Sequence, residues 1–230
     1  MKNTSLRFLS ILLFFGTAWF FSGCNHADRG KEMSSAHEGA IQSDTVRQED
    51  RPAIVAFGDS LTAGAGVEPG MNYPSQLQQK IDAEGYRYRV INAGVSGETS
   101  SQGLSRIQDV LDLQPVIAIV ELGANDGLRG MPVSTTRQNL EAIIKRFQSA
   151  GSKVILAGMR VPPNYGLQYT NAFSQLFRDV AGKSDVALIP FFLEGVGGNP
   201  ALNQDDGIHP TAEGYKIVVE RVWKTLKPLL

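Results

Sequence analysis

The chain has 230 residues, of which 42% are hydrophobic and 20% charged, and its 22 Lys and Arg against 23 Asp and Glu leave a formal net charge of −1. These are globular proportions with enough length for one sizeable core, and the lack of any block of Lys or Arg excludes an electrostatic footprint for nucleic acid. A single cysteine, Cys24, excludes an internal disulfide and a cysteine-based zinc site.

Residues 1–23 read as a secretory leader. Lys2 and Arg7 precede the apolar run Phe8–Phe21, which is short for a membrane span. Ser22-Gly23-Cys24 follows and resembles the lipobox of bacterial lipoproteins, with Phe21 where leucine is usual. That resemblance implies cleavage before Cys24, a lipid on its thiol and a place in the cell envelope; a plain secretory signal is the alternative. Residues 24–50 are rich in Ser, Asp, Glu, Gln and His, with only Met33, Ile41 and Val46 as sizeable apolar side chains. Such a segment cannot offset its ordering entropy, and it is expected to act as a disordered tether reaching on the order of 25–30 Å.

From residue 51 to 230, short apolar runs alternate with helical patterns. Ala53–Phe57, Tyr88–Asn92, Val116–Leu122, Val154–Ala157 and Val186–Ile189 lack polar alternation, as strands covered on both faces do. Helices are predicted over Tyr73–Ala83, Ser101–Leu113, Ser134–Ala150 with Gly151 closing it, Tyr169–Ala181 and Thr211–Leu226, each with apolar residues at helical spacing. This alternation predicts an open, doubly wound α/β sheet in three layers, with right-handed crossovers that bring the strands' C-terminal ends to one rim. Ser60, Gly94, Gly97 and Asn125 follow strands, so they fall on that rim, where such sheets bind ligands.

The chemistry-bearing residues are few. Of three histidines, His26 and His37 lie in the polar N-terminal stretch, which leaves His209. It closes Asp205-Asp206-Gly207-Ile208-His209, so either aspartate could partner it. Ser60 stands just past the first strand in Gly58-Asp59-Ser60-Leu61, where Asp59 or Ser60 could equally begin a helix as its cap. A serine, a histidine and an aspartate form the inventory of a serine hydrolase: nucleophile, general base and the group that orients the base. Gly64-Ala65-Gly66 with Gly70 lacks the dinucleotide spacing, and one usable histidine argues against a metal hydrolase, so neither a cofactor nor a metal is expected.

Four segments, Gly58-Asp59-Ser60-Leu61, Gly97, Gly123-Ala124-Asn125-Asp126 and Asp206-Gly207-Ile208-His209-Pro210, together resemble the GDSL or SGNH hydrolases. The stretches Glu121–Gly130 and Asn164-Tyr165-Gly166 are similar to the bacterial branch of arylesterases and the periplasmic thioesterase/lysophospholipase. The resemblance implies a flavodoxin-like parallel sheet in the order 2-1-3-4-5. It also implies Ser60 as nucleophile, His209 as base and, by the D-x-x-H spacing, Asp206 as its partner, with Asp59 orienting the turn. The Ser60 and Gly97 N–H groups and the Asn125 amide are the expected oxyanion donors, although Gly97 and Asn125 would also suit plain turns. Leu128, Met131, Val161 and Pro162 are the residues expected to line an acyl groove. The implied reaction is hydrolysis of aryl esters, short to medium acyl esters, lysophospholipids or thioesters through an acyl-serine. The alternatives are a carbohydrate O-acetyl esterase and a non-catalytic binding lipoprotein on a retained fold.

Overall fold

The computed structural model describes residues 50–230. The leader expected over 1–23, the expected lipidation site Cys24, and all of the tether expected over 24–50 except Asp50 lie outside the described residues. Among those described, no helix is long and apolar enough to cross a membrane.

Five strands, β1 (Ala53–Gly58), β2 (Arg89–Gly94), β3 (Ile117–Glu121), β4 (Lys153–Ala157) and β5 (Ala187–Ile189), form one parallel sheet in the order β2-β1-β3-β4-β5. β1 and β3 are buried at every residue, which is why their runs show no polar alternation. β2 is an edge strand, half-buried along its length and polar at the exposed Asn92.

The helices are α1 (Ser60–Ala63), α2 (Tyr73–Ala83), α3 (Ser100–Ser105), α4 (Ile107–Leu111), α5 (Ala124–Leu128), α6 (Val133–Ser149), α7 (Leu167–Ser184) and α8 (Ala212–Leu226), with single 3-10 turns at Pro163–Tyr165 and Lys227–Leu229. The chain steps from β1 one way to β2 and then the other way through β3, β4 and β5. Right-handed crossovers therefore send α2 to one face and α3, α4, α6 and α7 to the other. The packing agrees, since α2 meets α8, while α6 meets α3 and α7. The reversal lies between the C-terminal ends of β1 and β3, the switch point at which doubly wound sheets bind ligands.

Local chemistry explains the boundaries. The Asn72 side chain accepts from Ser75 N at 2.9 Å and starts α2. Thr99 and Gln102 make a reciprocal capping box at the head of α3. Gly151, in the left-handed region at φ +85°, ends the chain's run through α6.

One expectation is corrected. The helix predicted over Ser101–Leu113 is two short helices, broken at Arg106. The break has a tertiary cause: the Arg106 guanidinium turns back to Glu98, donates to Ala93 O at 2.9 Å and stacks over the Phe57 ring at 4.5 Å. The helix predicted from Tyr169 starts earlier, at Leu167, and runs on to Ser184.

Candidate active site

β1 delivers the chain to the rim at Gly58, and Asp59 caps α1 by accepting Leu61 N at 3.0 Å. Ser60 is the first residue of that helix, so the cap and the proposed nucleophile are neighbours in one turn. The 203–210 loop meets it from the other end of the chain. His209 Nε2 lies 2.8 Å from Ser60 Oγ, and His209 Nδ1 lies 2.6 Å from Asp206 Oδ2. Asp206 Oδ1 also accepts the Ile208 and His209 N–H groups, each at 3.0 Å. Of the two aspartates, then, Asp206 faces the imidazole.

The bond from His209, with help from the Ile208 N–H, holds the Asp206 pKa down to about 2. A carboxylate at this position can accept from Nδ1–H, and in that tautomer Nε2 would be the nitrogen that accepts from Ser60. Gln204 staples this loop to the nucleophile segment, donating to Ala65 O at 2.8 Å and Pro210 O at 3.0 Å. Its side chain lies against Gly66 so closely that a β-carbon there would collide with it, which accounts for a glycine in Gly64-Ala65-Gly66.

The expected oxyanion donors lie on segments next to the nucleophile turn, the Asn125 amide bonding Asp59, before Ser60, and Glu98, after Gly97. Among the described residues, neither Ser60 N–H nor Gly97 N–H has a protein acceptor, so both are unclaimed. Gly97 sits at φ +79°, a conformation that favours glycine. The Asn125 amide, from the start of α5, donates to Asp59 Oδ2 at 3.0 Å and to Glu98 O at 3.1 Å. Its two hydrogens are thus both engaged in this resting geometry, and an oxyanion would have to draw one of them away. The two loops that carry these donors are joined by Asp126, which is buried and accepts Ser100 N at 2.8 Å as well as the Ser100 hydroxyl.

Of the four residues expected to line an acyl groove, Val161 is buried within the core, where it would meet a β-carbon on Gly127. Leu128 and Met131 are half-buried, and Pro162 is exposed. The Tyr165 and Tyr169 hydroxyls pin this region by donating to Leu128 O at 2.7 Å and Met131 O at 2.8 Å.

Burial raises the Asp59 pKa to about 6, against the pull of the Leu61 N–H and the Asn125 amide. The ordinary value is 3.8, so the folded chain takes up a proton between about pH 6 and 3.8 that the unfolded chain does not. Stability contributed at this site therefore rises as pH falls through 6. Chemical denaturation at pH 7 and pH 5 is expected to show wild type gaining about 1 kcal/mol relative to Asp59→Asn, whose amide does not titrate. Identical pH dependence in the two proteins would contradict this account of Asp59.

Residues 56–217 match the GDSL-like lipase/acylhydrolase family. The chain is 43% identical over 186 residues to the esterase TesA of Pseudomonas aeruginosa, an alignment covering 80% of this chain and 92% of that one. It is 38% identical over 187 residues to the thioesterase 1/protease 1/lysophospholipase L1 of Escherichia coli K12, with 81% and 88% covered. The crystal structure of AlinE4, described as an SGNH-hydrolase family esterase, superposes with a TM-score of 0.66 at 44% identity, covering 79% of this chain and 97% of that one.

Proposed function

Since this chain belongs to the GDSL-like lipase/acylhydrolase family and is a carboxylic ester hydrolase of the serine type, we propose that Ser60, His209 and Asp206 are its catalytic triad. The observation that carries the reading is the hydrogen-bonded chain from Asp206 through His209 to Ser60 Oγ beside two unclaimed backbone N–H groups. In this reaction His209 Nε2 takes the Ser60 proton as Oγ attacks the ester carbonyl. The carbonyl oxygen becomes an oxyanion within reach of Ser60 N–H, Gly97 N–H and the Asn125 amide. The imidazolium, stabilised by the Asp206 carboxylate, then protonates the leaving group. Water, activated by the same histidine, releases the acid from the acyl-serine.

The substrate range inferred is aryl esters, short to medium acyl esters, lysophospholipids or acyl thioesters, and relatives named as esterase, arylesterase and thioesterase/lysophospholipase support it. Leu128 and Met131, half-buried beside the Asn125 segment, and the exposed Pro162 supply apolar surface for an acyl chain. Each buried methylene contributes about 0.8 kcal/mol. Lengthening the acyl group from two to eight carbons is thus expected to raise kcat/KM at least tenfold, even with partial burial. A series of acetyl, butyryl and octanoyl esters with one leaving group measures this. Acetyl esters as the best substrates, with longer chains progressively rejected, would overturn it and favour a carbohydrate O-acetyl esterase. The Ser22-Gly23-Cys24 segment supports the further reading that the mature protein is held at the cell envelope by a lipid on Cys24. Mass spectrometry of the mature N-terminal peptide tests it: a lipidated Cys24 supports the anchor, and an unmodified terminus contradicts it.

A further inference from the structure

Glu121 ends β3 in register with Gly58, the residue that ends β1 and opens the nucleophile turn. Its side chain is fully buried, an unusual place for a carboxyl group. Oε2 accepts the Thr62 hydroxyl at 2.7 Å and reaches Asp59 N–H at 3.4 Å. The carboxyl thus grips the turn on both sides of Ser60, at Asp59 and at Thr62. Gly58 gives it room: a β-carbon there would lie 2.5 Å from Glu121 Oε2 and collide with the Thr62 hydroxyl.

We propose that Glu121 is a positioning residue for the reaction: seated beneath the Gly58–Asp59 turn, its carboxyl sets the attitude of Ser60 and, through Asp59, that of the Asn125 amide. It touches neither Ser60 Oγ nor the oxyanion donors, so it acts through other groups. The chain of contacts is short. Glu121 holds Asp59 N–H and Thr62 Oγ1, and the Asp59 carboxylate in turn holds Leu61 N and Asn125 Nδ2.

The chemistry of the pair fits this role. A buried carboxyl with another buried carboxyl as neighbour resists ionisation. Burial, followed by the Asp59 charge, raises the Glu121 pKa well above the usual carboxylate range, while Asp59 reaches only about 6. Burial and the neighbouring Asp59 thus favour the neutral form of Glu121 over its carboxylate. Glu121 Oε1 has no hydrogen-bond partner among the described residues, and the buried Tyr73 and Tyr215 hydroxyls likewise have none. Both bonds fall on Oε2, which accepts them whether or not Oε1 carries a proton. A neutral Glu121 leaves Asp59 to carry the charge that accepts from Asn125.

This inference rests on Ser60 being the nucleophile, and the experiment separates the two. Full-length wild type, Glu121→Gln and Glu121→Leu are compared for kcat, KM, melting temperature and the rate of Ser60 labelling by a fluorophosphonate. Glutamine reproduces the neutral acid, its carbonyl taking both bonds, whereas leucine fills the space and accepts neither. Since misplacement by about 1 Å can cost on the order of 10²-fold in rate, Glu121→Leu is expected to lower kcat and the labelling rate about 10–100-fold with KM changed less than about threefold. Glu121→Gln is expected to restore kcat to within about threefold of wild type. A Leu variant that loses only melting temperature would overturn the proposal, as would a Gln variant as impaired as the Leu one. If the Leu variant does not fold, Thr62→Val provides the same test. Removing the hydroxyl is expected to lower kcat about 3–10-fold at constant KM, and an unchanged kcat overturns the proposal. Wild type that takes no label at Ser60 would instead overturn the nucleophile assignment on which the proposal rests.

Discussion

Ser60→Ala is expected to cut kcat by roughly 10⁴–10⁶-fold while the protein remains folded. The hydroxyl makes one side-chain bond, to His209 Nε2, and the cap of α1 is supplied by Asp59, so stability has little to lose. What is lost is the covalent route, leaving only the rate enhancement of binding and the oxyanion donors. His209→Ala is expected to fall in the same range, since no other described side chain is placed to take the Ser60 proton. Asp206→Ala should cost less, because the base remains and only its tautomer, orientation and charge compensation suffer. A Ser60→Ala protein that keeps more than a tenth of wild-type kcat, with contaminating esterase excluded, would sink the assignment.

The second large effect is expected at Asn125. Its amide is engaged at rest by Asp59 Oδ2 and Glu98 O, so as an oxyanion donor it would gain its new bond only as charge develops on the substrate carbonyl. A bond made mainly in the transition state lowers kcat when removed and leaves KM nearly unchanged. Asn125→Ala is accordingly expected to reduce kcat about 10²-fold. Steady-state kinetics on one ester checks this, and a change confined to KM would mean that Asn125 binds ground-state substrate.

Much of the architecture was legible because it depends on local pattern. Val116–Leu122 reads as a buried strand from its apolar run, and Tyr73–Ala83 reads as a helix from Leu77 and Ile81; the structure has a strand at Ile117–Glu121 and a helix at Tyr73–Ala83. The break at Arg106 was not legible, because it is made by bonds to Glu98 and Ala93 that the helical spacing of Leu104, Ile107 and Leu111 does not encode. At the site, the structure brings Ser60, Asp206 and His209 within hydrogen-bond reach, as their motifs led one to expect. The groups behind them were harder to see. Asp59 reads as a cap or a turn residue, and its bond to Asn125, 66 positions away, leaves no trace in either local sequence. Gln204 is likewise unremarkable in a polar loop until Ala65 O is seen beside it. Glu121 carries a signal, a lone charge inside the apolar run of a central strand, but its partners Asp59 and Thr62 lie 62 and 59 positions away and leave no local trace. Val161 reads as groove or core by composition alone, and only its packing against Gly127 shows how deeply it is set.

Ester cleavage is expected to pass through covalent chemistry on Ser60, driven by His209. The most direct measurement is to treat the full-length protein with a fluorophosphonate and map the adduct by peptide mass spectrometry. One adduct is expected, on Ser60, formed in step with loss of esterase activity and strongly slowed in His209→Ala. An adduct on another residue, or esterase activity that survives complete modification of Ser60, would contradict it.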